Sequence, residues 1–309
     1  MILVLASLAV ETLTGDDAPK TREPELPFIA PRSTGPVVAV PHGSMVAVVP
    51  ARGGEPVPLT SIGEGAREPA WRPDGRALLL AAREGLFELA VDRAGMPQWT
   101  LRRALGDYRG ASPAYSPDGR RIAYVAVLAD IVVGNRRGTR PRLVAPLVEG
   151  REPIALDWSR QDRLAVAAGG VIYVVDPSGE VVREVVSAQP TAAMPAWSPD
   201  GRRIAYAQLN PQPGEGVMRV VVTEPSSRTP PGKRVGPRGA TSAYPAWSPD
   251  GRSLAYARFV DGTWDIYVYD FESRRERRLT HGAGDEIDPA WSPDGRLVAF
   301  VGSLLPGPR

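Results

Sequence analysis

A nine-residue phrase recurs six times along the chain at almost constant spacing, and such a period restricts the fold more tightly than composition does. The first copy reads Glu68-Pro69-Ala70-Trp71-Arg72-Pro73-Asp74-Gly75-Arg76 and the second Ser112-Pro113-Ala114-Tyr115-Ser116-Pro117-Asp118-Gly119-Arg120. A degenerate third copy surrounds Asp157-Trp158-Ser159-Arg160-Gln161-Asp162-Arg163, and three clean copies end at Arg202, Arg252 and Arg296. The aromatic positions Trp71, Tyr115, Trp158, Trp197, Trp247 and Trp291 are separated by 44, 43, 39, 50 and 44 residues. That is the length of one four-stranded propeller blade.

Local chemistry within each unit supports the same reading. In Ser-Pro-Asp-Gly the proline presets φ, the aspartate caps the turn and the glycine accepts positive φ, so the phrase encodes a tight turn. The aromatic before it is large enough to fill the space between blades. The segments after it, such as Arg203-Ile204-Ala205-Tyr206 and Ser253-Leu254-Ala255-Tyr256, alternate as half-buried strands do. Third strands follow, for example Val171-Ile172-Tyr173-Val174-Val175-Asp176, and Arg278-Leu279-Thr280 exemplifies the fourth. Each unit thus supplies strands A, B, C and D.

The last unit stops after A and B at Gly302, and its missing C and D strands are available as Met45 to Val49 and Pro56 to Thr60. Two strands from each end of the chain would close the ring and remove its free edges. The expected fold is all-β, a six-bladed β-propeller of four-stranded antiparallel blades, forming a single domain over 37–302. An apolar stub and a Pro/charged linker occupy 1–36, and 303–309 is a tail. The 32 Gly and 33 Pro fit a turn-rich β chain, and past residue 13 no sustained apolar run has helical spacing.

The phrase Leu-Thr…Pro-Ala-Trp-Ser-Pro-Asp-Gly-Arg-x-Ile-Ala-Tyr resembles the TolB-type β-propeller repeat, also called the WD40-like beta-propeller repeat. The resemblance covers about 85% of the chain and is to the propeller alone. It implies a non-catalytic role, because such propellers bind partner proteins of the cell envelope or serve as the non-catalytic propellers of prolyl oligopeptidase-like peptidases. Fold alone does not give function.

Chemistry-bearing motifs are few. The chain has no Cys, which excludes disulfides, thiolate metal sites and Cys nucleophiles. It has no Gly-x-Ser-x-Gly elbow, and Ser248 and Ser292 read as turn formers, not nucleophiles. The two histidines, His42 and His281, fall on one face of the last blade, where Asp285, Glu286 and Asp288 could join them in a small cation site. Surface histidines without a role are the preferred reading, and no metal, cofactor or catalytic residue is assigned.

The net charge of +2 is too small to imply nucleic acid as partner, so its distribution matters more. Arginines gather in the A-to-B turns and C-to-D hairpins, while Glu and Asp gather in the D-to-A and B-to-C connections on the opposite face. The expectation is a polarised disc that binds a protein or peptide, possibly basic, over an acidic channel mouth; solvated loops that keep the protein soluble are the plainer alternative. The residues expected to carry binding are Glu68, Glu152, Tyr244, Asp285, Glu286 and Asp288, because D-to-A loops feed the innermost strand. A metal-assisted hydrolase or lyase using the same mouth, or an extracellular sensor module, are the rivals. A monomer outside the cytoplasm is expected. Residues 1–13 read as a signal sequence, an anchor remnant or a frayed end.

Overall fold

The computed structural model describes residues 45–60, 65–82, 85–91, 97–105, 110–126, 130–137, 139, 141–144, 152–178, 181–186, 191–209, 218–225 and 232–302. His42, the stub and linker at 1–36 and the tail at 303–309 lie outside the described residues. The described strands form six four-stranded antiparallel sheets, each a simple meander except the closing one. Numbered from the first A strand, the innermost strands are Arg67–Trp71, Gly110–Tyr115, Pro153–Trp158, Ala192–Trp197, Ser242–Trp247 and Glu286–Trp291.

Blade six closes the ring as the repeat count requires. Its A and B strands are Glu286–Trp291 and Leu297–Gly302, and its C and D strands are Met45–Pro50 and Val57–Pro58 from the other end of the chain. Strands B and C pair from Met45 opposite Gly302 to Pro50 opposite Leu297, without a break. Beyond the strands, the amide of Ala51 donates to the Arg296 carbonyl at 2.7 Å, extending the seam.

Several B and C strands are buried well beyond half. Ala77–Ala82, Leu164–Ala168 and Val171–Val175 are buried at every position, and Ile204–Leu209 at all but the last. Each blade is sandwiched between two neighbours, so both faces of its middle strands are covered, and alternation survives only toward the edges. Tyr206, Tyr256 and Phe300 are among the largest wholly buried side chains.

Every clean A-to-B turn uses its residues alike. In the fifth blade the Ser248 hydroxyl donates to Asp250 Oδ1 at 2.6 Å and accepts the Ser253 amide at 2.9 Å, while Asp250 also accepts the Arg252 amide at 3.0 Å. Ser116, Ser198 and Ser292 repeat the pattern. Donation from the serine is the main cause holding Asp118, Asp200 and Asp250 below the ordinary carboxylate range. In the degenerate third blade Asp162 replaces the turn glycine at φ 58°. Its carboxylate accepts from Trp158 Nε1 at 2.9 Å and from Arg121, whose nearer N–H···O separation is 2.8 Å.

The repeat aromatics lie between blades. Trp247 stacks on Phe271 with centroids 5.0 Å apart, carries the Arg203 guanidinium at 4.3 Å, and donates its indole N–H to the Ala196 carbonyl of the preceding blade at 3.2 Å. Trp71 donates likewise to Ala290 at 3.1 Å, which ties blade one to blade six.

Candidate functional site

The innermost strands enclose a central channel of about 1710 Å³. Its wall is shaped by one backbone irregularity repeated around the ring. Glu68, Ser112, Met194, Tyr244 and Asp288, each the residue before Pro-Ala-aromatic, sit in the left-handed region at φ 53°, 48°, 53°, 54° and 58°. A residue preceding proline is normally driven to extended backbone, and no L residue enters this region freely. The irregularity is a bulge. In blade one Arg67 pairs with Ala81 and Ala70 with Leu79, so Glu68 and Pro69 together oppose a single residue. The same skip recurs in blades two, four, five and six. Proline is the residue that bulge tolerates, having no N–H to lose from the ladder.

Blade three departs from the pattern. Its corresponding residue, Ala155, has no positive φ, Leu156 replaces the proline, and the register skip moves to between Pro153 and Ala155. Read around the channel, the six positions are Glu68, Ser112, Ala155, Met194, Tyr244 and Asp288, and all six line it.

The acidic members are wired to the backbone of the next blade. Asp288 accepts the amide of Glu68, and Glu68 Oε2 in turn accepts the amide of Ser112 at 2.7 Å. Asp157 plays a parallel part between blades three and four, accepting the Trp197 amide at 2.7 Å. The bulges leave the amides of Glu68 and Ser112 needing acceptors, and Asp288 and Glu68 supply them.

Enclosure also shifts their acidity. Burial, and then the neighbouring Glu68, push Asp288 up to about 8, against the opposing Glu68 amide and Arg67. Burial likewise raises Glu68, opposed by Arg67 and the Ser112 amide. The Glu68 side chain is still 27% exposed, to the channel itself, and Arg67 Nε stands 3.8 Å from it. Tyr244 has its hydroxyl wholly enclosed without a hydrogen-bond partner. Burial, with Asp288 and Glu68 adding to it, holds that phenol far above its usual range.

The structure therefore brings Glu68, Tyr244 and Asp288 together on one arc of the channel and places Glu152, exposed, at its lining in blade three. Asp285 and Glu286 do not line it. Asp285 Oδ1 accepts the Trp264 amide at 3.0 Å, fastening the D-to-A loop to blade five. Glu286 is 1% exposed. Burial is the chief cause of its rise to about 7, with the Thr280 hydroxyl opposing and Asp265 adding to it. Asp265 is also fully buried, against Arg278 at 2.6 Å, so not all acids of that face are solvated. His281 is exposed, and among the described residues no three or more His, Asp or Glu are grouped to hold a metal ion. Sequence reasoning passed over Arg67, Ser112, Ala155 and Met194; superposing the repeats on the residue before Pro-Ala-aromatic would have found all but Arg67.

Comparison with known proteins gives a consistent picture of the fold. Residues 163–304 match the PD40 family, the TolB beta propeller domain. A Protein TolB homolog from Chlorobium luteolum is 26% identical over 134 residues, which is 41% of this chain and 30% of that relative's length. Among solved structures, a putative TolB from Agrobacterium tumefaciens superposes with a TM-score of 0.67 at 19% identity, covering 84% of this chain and 97% of its own. TolB from Acinetobacter baumannii gives 0.62 at 18%, covering 81% and 66%. Hydrazine synthase of Kuenenia stuttgartiensis gives 0.55 at 16%, covering 77% and 73%. At these identities the superpositions show the fold, and the repeat and the propeller are TolB-like.

Proposed function

We propose that this TolB-like propeller is a non-catalytic binding module of the cell envelope, which receives a protein or peptide over the D-to-A mouth of its channel. The observation that carries the reading is the acidic arc itself. Two carboxylates and an unpaired phenol are set on left-handed bulges that face the channel. Strained backbone held by its surroundings is typical of places where a site is preorganised. His281 is not part of the channel lining, and each described turn serine is committed to its turn. The reading places the protein outside the cytoplasm as a monomer, with a basic surface on its partner facing Glu152, Asp288 and Glu68.

The test uses the full chain immobilised and exposed to an envelope extract at low and high ionic strength. One discrete protein should be retained at low salt and released as the Debye length shrinks to about 3 Å near 1 M salt. Glu152→Arg, at an exposed position, should weaken that capture about 5-fold or more. Capture indifferent both to salt and to this charge reversal would contradict the reading.

A further inference from the structure

The six bulge positions divide the channel wall by chemistry. Tyr244, Asp288, Glu68 and Ser112 follow one another in blades five, six, one and two, while Ala155 and Met194 occupy blades three and four, with Ile154 beside them. The polar arc thus faces bulge positions that are apolar, although Glu152 and Asp157 of blade three also line the channel.

The carboxylates are more than the bulges require. Each accepts one backbone amide, from Glu68 onto Asp288 and from Ser112 onto Glu68. An Asn or Gln carbonyl would accept those amides without the cost of enclosing charge. A carboxylate offers about four lone-pair sites, so most of this acceptor capacity is left for the channel. The Tyr244 hydroxyl, enclosed and unpaired beside both acids, is a further oxygen with no protein partner. Arg67 stands 3.8 Å from Glu68, at the limit of ion pairing, and its own side chain is 29% exposed. The spare carboxylate oxygens of Glu68 and Asp288 on the channel lining, opposite a thioether and aliphatic wall, match a compact cation with several N–H donors on an apolar stem.

We propose that the channel binds a primary alkylammonium group, its N–H donors on Glu68 and Asp288 and its hydrocarbon stem against Met194 and Ile154. The group belongs either to a lysine or amino terminus of a peptide or to a free amine. The inference deepens the binding reading above and rests on it for the peptide source. The charged groups facing Asp288 are Glu68 and Arg67 from blade one; Tyr244 faces it from blade five and Glu152 lines the channel from blade three. Because Asp288 is pushed up to about 8 by its enclosure, arrival of the ammonium displaces a proton near neutral pH. Affinity therefore rises between pH 6 and 8.

The experiment is calorimetric titration of the full chain with n-hexylammonium, hexanol, methylammonium and the peptide acetyl-Leu-Lys-Leu-amide. Hexylammonium should bind at least about 10-fold more tightly than hexanol, the usual worth of a charged hydrogen bond. Asp288→Asn and Glu68→Gln each keep a carbonyl for the backbone amide and should lose about 10-fold, with circular dichroism unchanged. Met194→Ser should remove the preference for hexyl over methyl. A peptide that binds more tightly than hexylammonium assigns the group to a chain, and the reverse order assigns it to a free amine. Equal binding of hexanol and hexylammonium, or unchanged affinity in both folded carboxamide variants, overturns the inference. Protein capture that persists in those variants separates the two ideas: the binding reading would stand and the ammonium would not be the partner's contact.

Discussion

At the scale of single residues, the buried acids set the pH response. Glu286 titrates near 7 in the fold against 4.5 ordinarily, because burial disfavours its charge. The native state therefore holds this proton more tightly than the unfolded chain, and stability falls as pH rises from about 4.5 to about 7. Glu286→Gln removes that dependence, so its melting temperature should gain on the parent's as pH rises from 4 to 8. A difference between the two melts that stays constant with pH would contradict this origin. The turn aspartates act in the opposite sense. Asp118, Asp200 and Asp250 are held low, mainly by serine donors, and their contribution is lost only as pH falls below the ordinary carboxylate range.

At the scale of elements, the turn and the inter-blade aromatic are the parts that chain chemistry made legible. Ser-Pro-Asp-Gly specifies its own geometry through contacts within five residues, so its structure could be read from sequence alone. Ser248→Ala removes a donor to Asp250 and an acceptor for the Ser253 amide, and should cost about 1–2 kcal/mol in denaturant unfolding while leaving partner capture intact. Lost capture in a stably folded variant would give that serine a role beyond the turn. Trp247→Ala empties the space against Phe271 and Arg203 and should cost about 3–5 kcal/mol. The bulge was not legible, because a left-handed residue before proline opposes both local preferences. Nor was the enclosure of Glu286. The D-to-A loop folds back so tightly that a methyl group on Gly282 would overlap Glu286 Oε1, and sequence reasoning, seeing an acidic loop, placed it at the surface.

At the scale of the whole molecule, closure and function share one axis. Blade six is built from both ends of the described chain, with six register pairs across its seam. Deleting 45–60 would leave a two-stranded blade with an open edge, and such a chain should fail to give a cooperative melt. A sharp melt at the parent temperature would show that the ring closes otherwise. The strands that close the ring also bring Asp288 of blade six against Glu68 of blade one, so the acidic arc spans the junction between the last A strand and the first.

The measurement that reaches furthest into the account is site-specific photocrosslinking in the native cells. The crosslinker is placed at exposed Glu152 on the channel lining or at exposed Arg275 on the outer edge of blade five. The account predicts a discrete crosslinked protein from position 152 and none from position 275. Crosslinks from 275 alone would put the partner on the rim and leave the channel without the function assigned to it.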